Sequence, residues 1–131
     1  MELSISSDPK TTVYRGSRRL GVTPLKIRIP KTKTKFLLRN RKKGIRTTRV
    51  ITPHGSRISA HFVFRKGKIG FRTSTRCEVR LGRKRLGITP LSPVEVYEGK
   101  HKVLLVEKRG GRRHRRTVDV MPGRTVWVEV K

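Results

Sequence analysis

The chain has 131 residues, 35 of them Lys or Arg and 8 Asp or Glu, for a net charge of +27. That far exceeds the magnitude of roughly 2–8 that keeps a small domain soluble, so it points to a polyanionic partner. No apolar run approaches the ~18 residues of a membrane span, Met1-Glu2-Leu3-Ser4 lacks the basic start and apolar core of a signal peptide, and the single cysteine, Cys77, excludes an internal disulfide.

Helix signals are nearly absent. The only alanine is Ala60, and no sustained i, i+3, i+4, i+7 apolar pattern occurs. Short strand-like runs are frequent instead. In chain order they are predicted over about 3–7, 11–15, 25–29, 34–39, 46–51 and 57–64, then 69–74, 77–81, 93–97, 101–107, 114–120 and 124–130. Ile58, Ala60, Phe62 and Phe64 alternate with Ser59 and His61, which puts one face of that run in a core. Phe36-Leu37-Leu38 and Val103-Leu104-Leu105-Val106 are apolar on both faces and read as inner strands. Val126, Val128 and Val130 share a face. Trp127 lies opposite them, and is expected to pack between units. Cys77, beside Val79, reads as a small core residue.

The second half repeats the first. Arg18-Arg19-Leu20-Gly21-Val22-Thr23-Pro24-Leu25 returns as Lys84-Arg85-Leu86-Gly87-Ile88-Thr89-Pro90-Leu91. Self-similarity at fixed spacing sets the architecture before any local reading does. Gly16 and Gly82 stand where tight hairpins need positive φ, and Leu-Gly-x-Thr-Pro reads as a second bend, because the residue before proline is held extended. The prediction is an all-β chain: two tandem antiparallel β-sandwich units, 1–66 and 67–131, packed together, with a joint at Gly67 to Gly70. A unit of this size buries only about 60% of its unfolded surface, which favours an interface between the two.

This pattern resembles the PEGA domain, a bacterial and archaeal repeat module. The second repeat carries the resemblance in Gly82, Leu86-Gly87-Ile88-Thr89-Pro90-Leu91, Glu98-Gly99-Lys100-His101-Lys102-Val103, Gly110-Gly111 and Met121-Pro122-Gly123. The first keeps Ser6-Ser7-Asp8-Pro9, Gly16, Leu20 to Leu25, Gly44 and Gly55, and departs at Lys31-Thr32-Lys33-Thr34, where the turn glycine and histidine are missing. Both repeats depart before the hairpin glycine, where the family commonly has Asp and this chain has Arg15 and Leu81. The resemblance implies a small β-sandwich without catalytic residues, frequent placement in cell-envelope or surface proteins, and His101 as a turn residue that caps a hairpin.

The charge is unevenly spread. Between Asp8 and Glu78 there are 21 basic residues and no acidic one. Four equivalent loops collect the cations. The loop after the inner strand has Arg39, Arg41, Lys42, Lys43 and Arg46 in the first repeat, and Lys108, Arg109, Arg112, Arg113, Arg115 and Arg116 in the second. The first hairpin has Arg15, Arg18 and Arg19, then Arg80, Arg83, Lys84 and Arg85. Short strands would bring such tips together at the sandwich ends as polyanion-binding surfaces, two per chain and therefore bivalent. Arginine dominates the second loop, and its planar fork suits bidentate contact with phosphate, sulfate or carboxylate.

Catalytic chemistry is not expected. His54, His61, His101 and His114 lack metal-ligand spacing, and no carboxylate pair suits acid–base work. No P-loop, nucleophile elbow or kinase signature occurs. The carboxylates are expected to neutralise neighbouring cations, Asp119 above all. The sequence therefore indicates a binding module without cofactor or metal. Its expected partner is an anionic polymer or surface: an envelope glycan, lipopolysaccharide or acidic lipid headgroups. Nucleic acid bound without sequence specificity is the alternative, since few aromatics (Trp127, Tyr14, Tyr97, Phe71) are free to stack on bases. A third reading is docking to an acidic protein partner.

Overall fold

The computed structural model describes residues 1–131. It contains fourteen β-strands and no helix, so no helix is long and apolar enough to cross a membrane. The chain separates into two compact units, Met1–Phe64 and Arg65–Lys131.

The first unit consists of β1 (Glu2–Asp8), β2 (Thr12–Arg15), β3 (Arg18–Val22), β4 (Leu25–Arg28), β5 (Thr34–Asn40), β6 (Ile45–Ile51) and β7 (Arg57–Val63). They form a three-stranded sheet ordered β4-β1-β7 and a four-stranded sheet ordered β3-β2-β5-β6. The second unit consists of β8 (Lys66–Thr73), β9 (Cys77–Leu81), β10 (Lys84–Ile88), β11 (Val94–Tyr97), β12 (Gly99–Glu107), β13 (Arg113–Val120) and β14 (Thr125–Val130). Its sheets, β11-β8-β14 and β10-β9-β12-β13, repeat the same order. The duplication seen in the residues is thus a duplication of topology.

Three expectations need correction. The sheets are not wholly antiparallel: β1 runs parallel to β7, and β8 parallel to β14. In each unit the chain alternates between the two sheets, returning to the first strand's sheet for the fourth strand and again for the seventh, and the last return, a crossover from the other sheet, frees the seventh strand from the hairpin constraint that enforces antiparallel pairing. Each unit also has seven strands rather than six. The missed ones, β3 and β10, hold the basic half of the repeated motif, whose glycine and proline had read as turn signals. Gly21 and Gly87 lie instead at strand bulges, with φ of 149° and 135°, where the register to β2 and β9 shifts. A bulge takes one extra residue into a strand without ending it.

The third correction concerns Gly67 to Gly70, expected as a joint between the units. Both glycines lie inside β8. A Cβ on Gly67 would overlap the Met121 carbonyl oxygen, and one on Gly70 would overlap Cε3 and Cζ3 of the Trp127 indole. These residues are glycine for close approach, not for flexibility. Trp127, expected between units, covers Gly70 in its own sheet and remains 43% exposed.

The core follows the alternation in the sequence. In the first unit Leu3, Ile5, Val13, Phe36, Leu38, Ile45, Ile51 and Phe64 are buried. In the second, Ile69, Phe71, Cys77, Val79, Val103, Leu105, Val120, Val128 and Val130 form one cluster. Phe71 is therefore unavailable to a ligand. The inner strands β5 and β12 each have neighbours on both sides, and the second apolar face of each, Leu37 on β5 and Leu104 with Val106 on β12, is only partly buried.

The threonine of Leu-Gly-x-Thr-Pro explains why the motif is kept in both units. Thr23 donates its amide to the Thr11 carbonyl (2.9 Å) and accepts the Thr11 amide on its hydroxyl (3.0 Å). Thr89 makes the same pair of bonds with Cys77, at 2.8 and 2.9 Å. A buried amide left without a partner costs about 1–3 kcal/mol, and this clasp satisfies one where the bulged edge strand ends.

Candidate anion-binding faces

Alternation along the four-stranded sheets places one set of side chains outward. In the first unit the outward set is Arg19 on β3, Thr12 and Tyr14 on β2, Lys35, Leu37 and Arg39 on β5, and Arg46, Thr48 and Val50 on β6. The register runs Arg19–Tyr14–Leu37–Thr48 in one row and Val22–Thr12–Arg39–Arg46 in the next. In the second unit the matching rows are Arg85–Arg80–Leu104–Arg115 and Ile88–Glu78–Val106–Arg113, with Lys100 and Lys102 beyond them on β12. Neighbours on such a face stand about 5 Å apart across strands and about 7 Å apart along one.

The predicted site residues therefore divide. Arg19, Arg39 and Arg46, and Arg80, Arg85, Arg113 and Arg115, share the outer sheet face of their unit. Arg15 and Arg18 flank one hairpin tip of the first unit, and Arg41, Lys42 and Lys43 form the other. Arg83 and Lys84 stand at the equivalent first tip of the second unit, and Lys108, Arg109 and Arg112 at its second. Arg116 pairs with Val103 and so belongs to the opposite face parity from Arg115.

Within a unit the tips do not cluster, contrary to the sequence expectation. β2 is antiparallel to β5, with Thr12 opposite Arg39 and Tyr14 opposite Leu37. The β2–β3 tip is thus at the end where β5 starts, and the β5–β6 tip at the end where β2 starts. The same holds for β9 and β12, where Cys77 faces Glu107 and Leu81 faces Val103. Antiparallel neighbours send their hairpins to opposite ends of a sheet. The cations therefore fall into separate groups, one at each tip and one on the sheet face between the tips.

Ion pairing separates the two units sharply. All four Lys or Arg ion pairs lie in the second, Lys66–Glu95, Arg72–Glu129, Arg80–Glu78 and Arg85–Glu78, as does the hydrogen-bonded contact of His114 with Glu107. Glu78 accepts from Arg80 Nε at 3.0 Å and lies 3.7 Å from Arg85 Nε. The Arg80 hydrogen bond is the main cause that holds its carboxyl below the usual glutamate range. Glu107 is lowered likewise, chiefly by the hydrogen bond from His114 at 2.8 Å, with Thr75 adding a second. Asp119, the carboxylate expected to neutralise the arginine strand, faces Lys100 in register but takes part in none of these pairs. The first unit has 16 basic residues against only Glu2 and Asp8. There Arg39 stands directly opposite Arg46, and like charges directly opposite destabilise a sheet.

Sequence reasoning missed the outward row as the organising feature. Its signal was present in the alternation of Glu78 and Arg80 with Cys77, Val79 and Leu81, and in the period-two spacing of Arg113 and Arg115. The other faces are mixed. On β8 and β14 the Arg72 guanidinium lies 4.2 Å from the Trp127 ring centroid, and Lys66 Nζ lies 5.2 Å from that of Tyr97. On β1 and β7 Ser6 Oγ is 2.7 Å from His61 Nδ1. The His101 ring nitrogen meets the Tyr97 carbonyl at 2.6 Å, which ties the short β11–β12 connection.

No family model matches the chain, and no curated protein matches it. Among solved structures, a chain described as the Bacillus anthracis TIE protein is similar at a TM-score of 0.38 and 11% identity, over 99% of this chain and 34% of that one. The chain thus spans about a third of the length of that protein.

Proposed function

We propose that this chain is a non-catalytic, PEGA-like binding module that holds an anionic polymer or surface, such as an envelope glycan, lipopolysaccharide or acidic lipid headgroups, on the outer faces of its four-stranded sheets. The observation that carries this reading is the Arg39–Arg46 pair, opposed across two strands with no carboxylate partner. A fold that places unneutralised cations about 5 Å apart accepts a repulsion that an external polyanion relieves. Anionic lipid attracts each basic residue near its surface by about 1 kcal/mol. The bivalency expected from clustered tips is replaced by one extended face per unit.

Nucleic acid is the second reading, favoured by Trp127, which is exposed and paired with Arg72. Base stacking is sequence-tolerant, and on this ring it requires a base to take the place of the Arg72 guanidinium, since the other face lies on Gly70.

The test is binding of the full chain to purified lipopolysaccharide, to acidic vesicles and to single-stranded DNA across a salt series. The face variant Arg39→Ser, Arg46→Ser, Arg113→Ser, Arg115→Ser is expected to lose at least tenfold in affinity and to show a shallower salt slope. The tip variant Arg18→Ser, Lys42→Ser, Arg83→Ser, Arg109→Ser is expected to lose less. Equal losses from both sets would refute the face as the site, and tight DNA binding without lipopolysaccharide binding would favour the second reading.

A further inference from the structure

The first unit contains a cleft of about 350 Å³ where the start of β2 meets the end of β5. Lys10, Thr12, Tyr14, Val22, Arg39 and Arg41 line it together with Thr11 and Asn40, and no carboxylate does. Its walls are tied in place. Asn40 Nδ2 donates to the Lys10 carbonyl at 2.8 Å, and Asn40 Oδ1 accepts the Lys43 amide at 3.0 Å, so the cationic tip is fastened to the strand that enters the cleft. Thr11 is held by the Thr23 clasp.

The second unit shows what the same position does when it is satisfied internally. Thr12 corresponds to Glu78, and Asn40 to Glu107. Glu78 holds Arg80 and Arg85, and Glu107 holds His114. The second unit thus places its own carboxylate where the first has only a hydroxyl, while the first keeps three cations around the gap. Arg80 and Arg85 correspond to Tyr14 and Arg19, so the cations of the cleft are the first unit's own, and no carboxylate of the chain lines the space between them. Beside the cations stand one aromatic ring, Tyr14, and the apolar Val22, enough for the face of a single small ring. Successive bases of a nucleic acid would need a series of such platforms, and this face has one.

We infer that the cleft bounded by Lys10, Thr12, Tyr14, Arg39 and Arg41 is a discrete site for one phosphorylated sugar unit. Arg39, Arg41 and Lys10 meet the phosphate, Thr12 donates a hydroxyl hydrogen bond, and Tyr14 with Val22 lies against the sugar ring. Guanidinium groups suit this role because their fixed fork meets phosphate oxygens bidentately. The inference rests on the polyanion reading and narrows it to a phosphorylated glycan gripped at one residue of the polymer.

The experiment is a titration of the full chain with glucose 6-phosphate, with glucose plus inorganic phosphate, and with adenosine 5′-monophosphate, followed by amide chemical shifts and calorimetry. Glucose 6-phosphate is expected to saturate, with the largest shifts at Lys10, Thr12, Tyr14 and Arg41, and to bind at least tenfold more tightly than either half alone. Thr12→Glu, which installs the carboxylate of the second unit, is expected to abolish saturation, and Arg41→Ala to weaken it at least fivefold, with both variants keeping the wild-type amide dispersion. Shifts spread evenly over both units, no response to Thr12→Glu in a folded variant, or tighter binding of the nucleotide than of the sugar phosphate would overturn the assignment. If lipopolysaccharide still binds in a salt-dependent way while glucose 6-phosphate does not saturate, the cleft proposal alone fails. If neither binds, the polyanion reading fails beneath it.

Discussion

Thr89 and Cys77 exchange two hydrogen bonds, one through the Thr89 amide at 2.8 Å and one through its hydroxyl at 2.9 Å. Thr89 is 3% exposed and Cys77 fully buried, so neither bond is replaced by water. Thr73 adds a third link by donating to the Thr89 hydroxyl at 2.8 Å. Thr89→Val removes the acceptor but keeps the shape, and is expected to cost the second unit about 1–3 kcal/mol. Thr89→Ser keeps the acceptor and should cost less. Urea unfolding followed by Trp127 emission measures both.

The contact of Trp127 with Gly70 makes a sharper steric prediction. Gly70→Ala forces the indole off its seat and should destabilise the second unit by roughly 1–3 kcal/mol, the range for overpacking. Because Arg72 lies against the same ring, its displacement should also shift the Trp127 emission maximum in the folded state. An unchanged spectrum and unchanged midpoint would contradict the packing described.

Val128 is 3% exposed in the centre of β14. Val128→Asp buries an unpaired charge and is expected to abolish cooperative unfolding of the second unit, read as a flat Trp127 emission profile in urea. Val126→Asp, at a partly buried position of the same strand, should be milder.

Acid should weaken the second unit through Glu78 and Glu107. Both carboxyls are held below the ordinary value of 4.5 by their hydrogen-bonded partners. A group whose folded value is depressed contributes stability that is complete above its unfolded value and is lost as pH falls through the folded one. The second unit should therefore hold its full stability above about pH 4.5 and lose part of it below. Glu107→Gln with Glu78→Gln should flatten that dependence. Melting temperatures between pH 3 and pH 7 give the comparison.

Glu78→Thr converts the position to the residue that the first unit has. Freeing Arg80 and Arg85 from their carboxylate is expected to raise affinity for lipopolysaccharide, and to steepen its salt slope by up to about 2 if both then meet the ligand. A decrease in affinity would mean that Glu78 positions the arginines rather than occupying them.

The strand class, the doubling, the inner strands and most of the core were legible in the residues, because period-two alternation and repeated turn signals are local properties. Phe36, Val79, Leu105 and Val128 needed no knowledge of their neighbours to be placed inside. The bulged strands β3 and β10 were not legible. Glycine and proline there act as turn signals unless a partner strand and a threonine clasp hold the chain extended. Gly67 and Gly70 were misread for a related reason: a glycine kept for close approach looks like one kept for freedom until the overlying Trp127 is known.

Charge divides in the same way. Composition alone directed the proposal toward a polyanion, since net charge needs no coordinates. Which cations stand together depends on register: β2 beside β5 puts their tips at opposite ends, β5 beside β6 aligns Arg39 with Arg46, and β9 beside β10 brings Arg85 within reach of Glu78. Even between residues only a few positions apart, such as Arg39 and Arg46 or Glu78 and Arg85, the pairing is fixed by hairpin register and strand twist, which belong to the folded sheet rather than to any stretch of residues.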